Sequence, residues 1–236
     1  MFDEVSQPNG WEALVGSLAY TFQLYFDFSG YCDIANGCSW ILGLELPFNF
    51  FSPYKAISIR DFWRRWHITL GNFLREHIYI PLGGNRRGLQ LQLLALFLTF
   101  FLGGIWHGAG RTFIIWGALH GFYTCTQTLY EHFKLKPLPN WLSGALTFTA
   151  VHCAWIFFRA ASVSDALKFF SVRNLNALTL PHMIQKRLPI ALKEIFEGVR
   201  FLPQIQSQIH ELLLVLCTTV LLTWIAPNSH QIAEKI

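Results

Sequence analysis

Apolar positions in this chain fall into long blocks, separated by short polar stretches rich in Gly, Pro and Arg. Residues 11–28, 89–106, 112–130, 141–158 and 210–226 are each apolar over roughly the length that crosses a bilayer, about 20 residues at 1.5 Å per residue. They predict five membrane-spanning helices. Residues 31–44 predict a shorter intramembrane helix, broken by Gly43 and Pro47, since proline cannot continue a helix. The stretch 57–79 is different. At helical spacing one row holds Arg60, Arg64, His67, Gly71 and Arg75, and a second holds Asp61, Arg65, Asn72 and Glu76. The opposite side holds Ile59, Trp63, Trp66, Leu70, Phe73 and Leu74, with His77. This predicts a single amphipathic or re-entrant helix that holds polar groups at a membrane. Ser162 or Ser164, followed by Asp165, starts a short amphipathic helix that runs to Phe170. Residues 174–208, with Pro181, Pro189 and Pro203, predict a long loop with interfacial helical pieces. The fold expected is all-α, a single multi-pass membrane domain over residues 1–236.

Composition agrees. The chain is 53% hydrophobic and 14% charged, where soluble domains carry about 25% charged residues. Its mean hydropathy is +0.34. The 22 Phe and 9 Trp suit rings that face lipid or sit at its interface. Seven basic residues, Lys55, Arg60, Arg64, Arg65, Arg75, Arg86 and Arg87, place that region on the cytoplasmic side. The 159–208 region carries as many and pulls the other way, but long loops weigh little in this rule. The net charge of +4 lies in loops between oily segments, so membrane lipid, not nucleic acid, is the expected partner. The five cysteines have no CxxC spacing and read as small hydrophobes. Met1–Gly10 lacks the basic n-region of a signal peptide. It reads as a loop between spans, which suggests that part of a longer protein precedes it.

Two histidines are the candidate chemistry. His67 lies on the polar row of the amphipathic stretch, and His107 ends a span in GGIWHGAG. Histidine is the usual general base because its ordinary pKa of about 6.5 lies near working pH. Within a membrane an ionisable side chain is expensive. The glycines around His107 permit close approach of a backbone or a ligand, or a bend, and suggest cleared space at its ring. His120, His152 and His77 read as structural. No HExxH pair, acidic cluster, GxSxG elbow or phosphate-loop pattern is present, so metal, serine and nucleotide chemistry have no support. A second class of function stays open on these residues: a transporter whose broken helices line a path with Asp27, Asp33 and His107. A remnant without activity is a third.

Several stretches taken together resemble the membrane-bound O-acyltransferase (MBOAT) superfamily, and within it the branch that O-acetylates alginate. They are YFDFSGYCDIANG (25–37), LPFNFFSPY (46–54), DFWRRWHITLGNFLREHIYIPLGGNRRG (61–88), GGIWHGAGRTFIIWGALHG (103–121) and WIFFRA (155–160), in the family's order. The resemblance implies transfer of an acyl group, from a thioester donor such as acetyl-CoA or an acyl carrier, to a hydroxyl acceptor. It implies O-acetylation of an alginate-like exopolysaccharide, with D-alanyl or other acyl transfer to a cell-wall polymer as the alternative. No bound cofactor is implied. His107 matches the family's catalytic WHG histidine, and His67 matches the histidine of its RWHxSL motif. Arg64, Asn72, Trp106 and Asp61 are the supporting residues expected around them, with Arg64 or Asn72 helping His67 orient a group or polarise the carbonyl. Asn85, Arg86 and Arg87 are candidates for docking the donor. The implied setting is the bacterial inner membrane, with periplasmic partner proteins that complete the modification. The chain departs from the motif at Thr69, Gly71, Glu76 and His77. Family members are considerably longer, and the match is to their C-terminal portion, so an incomplete MBOAT core is expected.

Overall fold

The computed structural model describes residues 10–170 and 209–233. Every regular element among them is helical. The sequence expectation for 174–208 lies outside the described residues.

Helix α1 spans Gly10–Ile41 as one rod of 32 residues, about 48 Å at 1.5 Å per residue. The two helices expected at 11–28 and 31–44 are therefore fused. Ser29-Gly30 weakens a helix by about 1 kcal/mol, but a glycine alone does not stop propagation. The stop comes at Gly43, whose φ of 73° is left-handed. There the amides of Gly43 and Leu44 turn back to Trp40 O (3.0 Å) and Ser39 O (2.9 Å).

The amphipathic stretch is also not one helix. Helix α2 covers Ile59–Trp63, capped by Ser58, whose hydroxyl accepts from the Asp61 amide at 3.1 Å. The chain then breaks, and His67 adopts a left-handed backbone, φ 43° and ψ 58°. Helix α3 covers Ile68–Leu74 and widens into a π-helical turn over Arg75–Tyr79. No Pro or Gly marks this break in the sequence. Backbone bonds from the loop before α2 impose it: Phe51 N donates to Arg65 O (2.9 Å) and Ile68 N donates to Asn49 O (3.0 Å). The expected apolar side is buried at Ile59, Trp63, Trp66, Leu70 and Leu74, but Phe73 is 53% exposed and carries the His77 ring at 4.6 Å.

Helices α4 (Leu89–His107) and α5 (Arg111–His132) form an antiparallel hairpin with their backbones in contact. A Cβ on Gly104 would lie 2.5 Å from Phe113 O, and one on Gly117 would lie 2.5 Å from Phe100 O. Glycines at both places permit this approach, as small residues do between membrane helices. Helix α6 (Asn140–Arg159) packs across α5 and α1. His152 pins α6 to α1, with Nε2 at 3.2 Å from the Ser17 hydroxyl and Nδ1 at 2.8 Å from that of Thr21. Helix α7 (Val163–Phe170) starts at Ser162, whose hydroxyl accepts from the Asp165 amide at 3.1 Å. Helices α8 (Ile209–Trp224) and α9 (Ser229–Ala233) close the described chain. The turn between them sits on the α1–α2 loop: Lys55 Nζ donates to Ala226 O (3.0 Å) and Asn228 Nδ2 donates to the Ser52 hydroxyl (3.0 Å).

Among the described residues α4 and α6 are long and apolar enough to cross a membrane. The stretches 11–28, 112–130 and 210–226 are helical as expected, but α1 and α5 are more polar and α8 has only 16 residues. The core is aromatic. Phe22, Tyr54, Phe62, Trp63, Trp66, Trp116 and Trp155 are all buried where α1, α2, α5 and α6 meet.

Candidate functional site

His67 owes its position to the break between α2 and α3. Its left-handed backbone takes it off the row it was expected to share with Arg60, Arg64, Gly71 and Arg75. Those four line a cavity without it. The ring of His67 meets Phe28 of α1 edge-on at 4.9 Å. Its Nδ1 lies 3.3 Å from Asn49 Oδ1 and 3.4 Å from the Thr69 hydroxyl. Asn49 Oδ1 also accepts from the Thr69 amide (3.2 Å) and the Thr69 hydroxyl (2.6 Å). Burial pushes the His67 imidazole below its ordinary pKa, because a charged ring is poorly solvated there.

His107 is the last residue of α4. Its ring sits among Trp106 (4.9 Å), Trp116 (5.0 Å) and Phe158 (5.2 Å). Among the described residues its ring nitrogens make no hydrogen bond. The nearby glycines do not clear space around this ring, contrary to expectation. Gly104 admits the α5 backbone, and a Cβ on Gly108 would lie 2.8 Å from the Phe113 ring. They are close-packing residues. What surrounds His107 is a cage of aromatic rings.

A buried aromatic layer connects the two histidines. Trp66, next to His67 in sequence, packs on Trp155 at 4.9 Å. Trp155 stacks on Trp116 at 5.8 Å, and Trp116 meets His107. His67 and His107 lie within electrostatic reach of each other, as do His107 and His120. His120 is fully buried, and its Nδ1 accepts from the Trp63 indole N–H at 3.2 Å. That bond ties α5 to α2 and fits the structural reading of His120.

A cavity of about 700 Å³ opens between α2, α3, α4 and α5. Arg60, Arg64, Asn72, Arg75, Asn85 and Gln92 are among its polar wall, and Trp63, Leu96 and Phe100 among its apolar wall. Arg60 is held by Glu131 (2.7 Å) and by the Gln127 side chain, which accepts from its amide (3.0 Å). Arg64 and Arg75 have no ion-pair partner among the described residues. Three guanidinium groups against the single carboxylate of Glu131 give the cavity a net positive wall. Neither His67 nor His107 lines it; Trp63, His120 and Trp116 lie between.

The expected supporting residues divide. Arg64, Asn72 and Asn85 reach the cavity. Arg86 and Arg87 do not; the Arg87 stem lies across Gly83, where a Cβ would meet it at 2.8 Å. Asp61 is turned to Arg65 (2.7 Å) and to the Ile57 amide (3.2 Å), in a local brace for α2. Trp106 touches His107 yet is 64% exposed. Asn49 was missed. Its one signal was position: a lone amide inside PFNFF, where every neighbour is apolar. Among the described residues no three His, Cys, Asp or Glu side chains gather as a metal would require.

The family model for MBOAT, the membrane-bound O-acyltransferase family, matches residues 7–163. A peptidoglycan O-acetyltransferase of Helicobacter pylori is 48% identical over 186 residues, covering 77% of this chain and 35% of that protein. A probable alginate O-acetylase AlgI of Pseudomonas aeruginosa is 43% identical over 166 residues, covering 70% of this chain and 32% of its own length. A teichoic acid D-alanyltransferase of Bacillus subtilis is 32% identical over 130 residues, covering 51% and 33%. The chain thus spans about a third of the length of these curated relatives.

Proposed function

The chain belongs to the membrane-bound O-acyltransferase family, and from that premise we propose that it carries the reaction centre of a polysaccharide O-acetyltransferase. The observation that carries this reading is the placing of His107. It ends an apolar helix, is caged by aromatic rings, has no hydrogen bond among the described residues, and lies within electrostatic reach of His67. A base held this way is available to a substrate. Two of these relatives are named for O-acetyl transfer to peptidoglycan and to alginate, at 48% identity over 77% and 43% identity over 70% of this chain. The D-alanyltransferase likeness is weaker and shorter, so acetyl is the favoured acyl group and a glycan hydroxyl the favoured acceptor.

In the proposed reaction an acceptor hydroxyl attacks the carbonyl carbon of an acyl thioester. His107 takes the hydroxyl proton as the C–O bond forms, the C–S bond breaks, and the proton passes to the leaving thiolate. General-base help of this kind contributes about 10²- to 10⁴-fold to rate. The apolar cage keeps water, a competing nucleophile, away from the thioester. The cationic cavity suits the phosphate groups of a donor such as acetyl-CoA or a carrier-borne thioester, held by Arg64 and Arg75 with Asn72 and Asn85 beside them. In this reading the face holding residues 55–87 is cytoplasmic, the chain crosses a bacterial inner membrane several times, and periplasmic proteins complete the modification.

His107→Ala tests the reading. Expressed in its native cell, the variant is expected to reach the membrane at normal abundance and to lose polysaccharide O-acetyl groups, measured by chemical release of acetate. Wild-type acetylation in that variant overturns the assignment.

A further inference from the structure

The contacts of one amide decide which of its two nitrogens His67 can use. We propose that Asn49 is a positioning residue that locks His67 in the Nδ1–H tautomer, leaving Nε2 as a lone pair.

The first step is the orientation of the Asn49 amide. The Thr69 backbone N–H can only donate, and it meets the Asn49 terminus at 3.2 Å. The Thr69 hydroxyl meets the same atom at 2.6 Å. An NH₂ group cannot accept from an N–H, so that atom is the carbonyl Oδ1, and Nδ2 points away toward Cys32 Sγ at 3.7 Å. The second step is the Thr69 hydrogen. It goes to Oδ1, the nearer partner, so the Thr69 hydroxyl offers His67 a lone pair only. Nδ1 of His67 then faces two acceptors, Oδ1 at 3.3 Å and Thr69 Oγ1 at 3.4 Å. Two lone pairs facing a third would repel, so Nδ1 carries the hydrogen. In the neutral ring Nε2 is then unprotonated.

Asn49 does a second task that makes the first possible. His67 is the N-cap residue of α3, and an N-cap side chain ordinarily accepts from the free amides of the first turn. Here Asn49 takes that place from outside the helix. Its backbone O accepts from Ile68 N (3.0 Å) and its Oδ1 from Thr69 N (3.2 Å). The left-handed backbone of His67 is bracketed from both sides, and its ring is freed from capping.

A mechanistic consequence rests on the proposed acyl-transfer function. A neutral His67 with a bare Nε2 accepts hydrogen bonds and donates none from that atom. It can orient the attacking hydroxyl or a His107 N–H. It cannot polarise the thioester carbonyl, which needs a donor. The titratable groups around it are Cys32 and Asp33 on α1, behind Asn49, and His107 on α4; Arg64 and Arg65 precede it on its own segment, Arg65 already paired with Asp61.

The test reads the tautomer directly and needs no acyl transfer. The chain is labelled with ¹⁵N-imidazole histidine, placed in lipid nanodiscs, and its ring nitrogens are observed by NMR, with His67 assigned by the signal lost in His67→Gln. Wild type is expected to show a protonated Nδ1 and a bare Nε2 at neutral pH. Asn49→Ala is expected to shift the population toward the Nε2–H form that free imidazole favours. Asn49→Asp keeps both acceptors for Thr69, so it preserves the bracket if the alanine variant does not fold. Its carboxylate is expected to hold the Nδ1–H form and raise the His67 titration midpoint by about 1 to 3 pH units. An Nε2–H tautomer in wild type, an unchanged tautomer in Asn49→Ala, or an unmoved midpoint in Asn49→Asp overturns the proposal. Lost acetylation in His107→Ala bears only on the proposed function, so the two readings fail separately.

Discussion

His67 is useful as a hydrogen-bond acceptor only while it is uncharged, and its burial favours that state. The sign has a consequence for stability. The folded chain binds the His67 proton less readily than the unfolded chain, whose value stays near the ordinary histidine pKa of about 6.5. As pH falls through that value the unfolded chain takes the proton first, and the folded state loses ground. The loss stops growing once the folded ring is protonated too. Thermal unfolding in nanodiscs is therefore expected to show a smaller drop between pH 7 and pH 5 for His67→Gln than for wild type. Equal drops would show that this ring is solvated enough to charge without penalty. His67 and His107 stood out in the sequence because ionisable rings are rare in an oily chain, whereas the aromatic cage of His107 did not, because Trp116 and Phe158 reach it from α5 and α6. Nor did Asn49, because its role depends on a fold-back of the loop onto a helix break 18 residues later.

Breaks and close approaches were the hardest features to read at the scale of elements. Periodicity over 57–79 is satisfied by one helix, and nothing local forbids it. The loop amide and carbonyl bonds that interrupt it are long-range and carry no periodic signature. The fusion of α1 has the opposite cause: the apolar pattern is interrupted between 28 and 31, but neighbouring turns carry the helix through. The glycines around His107 were legible as a cluster that admits a close backbone approach, as Gly104 does, while Gly117 on the facing helix was not singled out. Their use is the hairpin contact, and that can be tested. Gly117→Ala places a Cβ 2.5 Å from Phe100 O, a rigid backbone atom, so the helices must separate. Overpacking of this kind costs about 1 to 3 kcal/mol, and the variant is expected to melt earlier than wild type. Gly30→Ala is the control: its Cβ meets nothing within 4 Å, so it removes backbone entropy without a clash and leaves the melting point unchanged or higher.

For the whole molecule, the proposed function draws on two regions of different character. The cavity between α2, α3, α4 and α5 is cationic, whereas the histidine region is aromatic and separated from it by Trp63, His120 and Trp116. On the proposed function, the phosphate-bearing end of a thioester donor docks in the cavity, and its acyl end reaches His107 when the Trp63, His120 and Trp116 side chains give way. The anionic end gains from the guanidinium groups of Arg64 and Arg75, and the acyl end gains from exclusion of water. Charge removal in the cavity should then weaken donor binding and leave the chemical step alone. Arg64→Gln and Arg75→Gln are suited to this because neither has an ion-pair partner to orphan among the described residues. Each is expected to raise KM for the thioester donor several-fold, with kcat within about twofold, since an interaction lost equally from ground and transition states appears in KM. The effect should shrink as salt is raised, because a partly exposed charge pair is screened over a Debye length of about 8 Å at 0.15 M ionic strength. A fall in kcat with KM unchanged would instead place these arginines at the reacting carbonyl, and would move the reaction centre from the aromatic cage into the cavity itself.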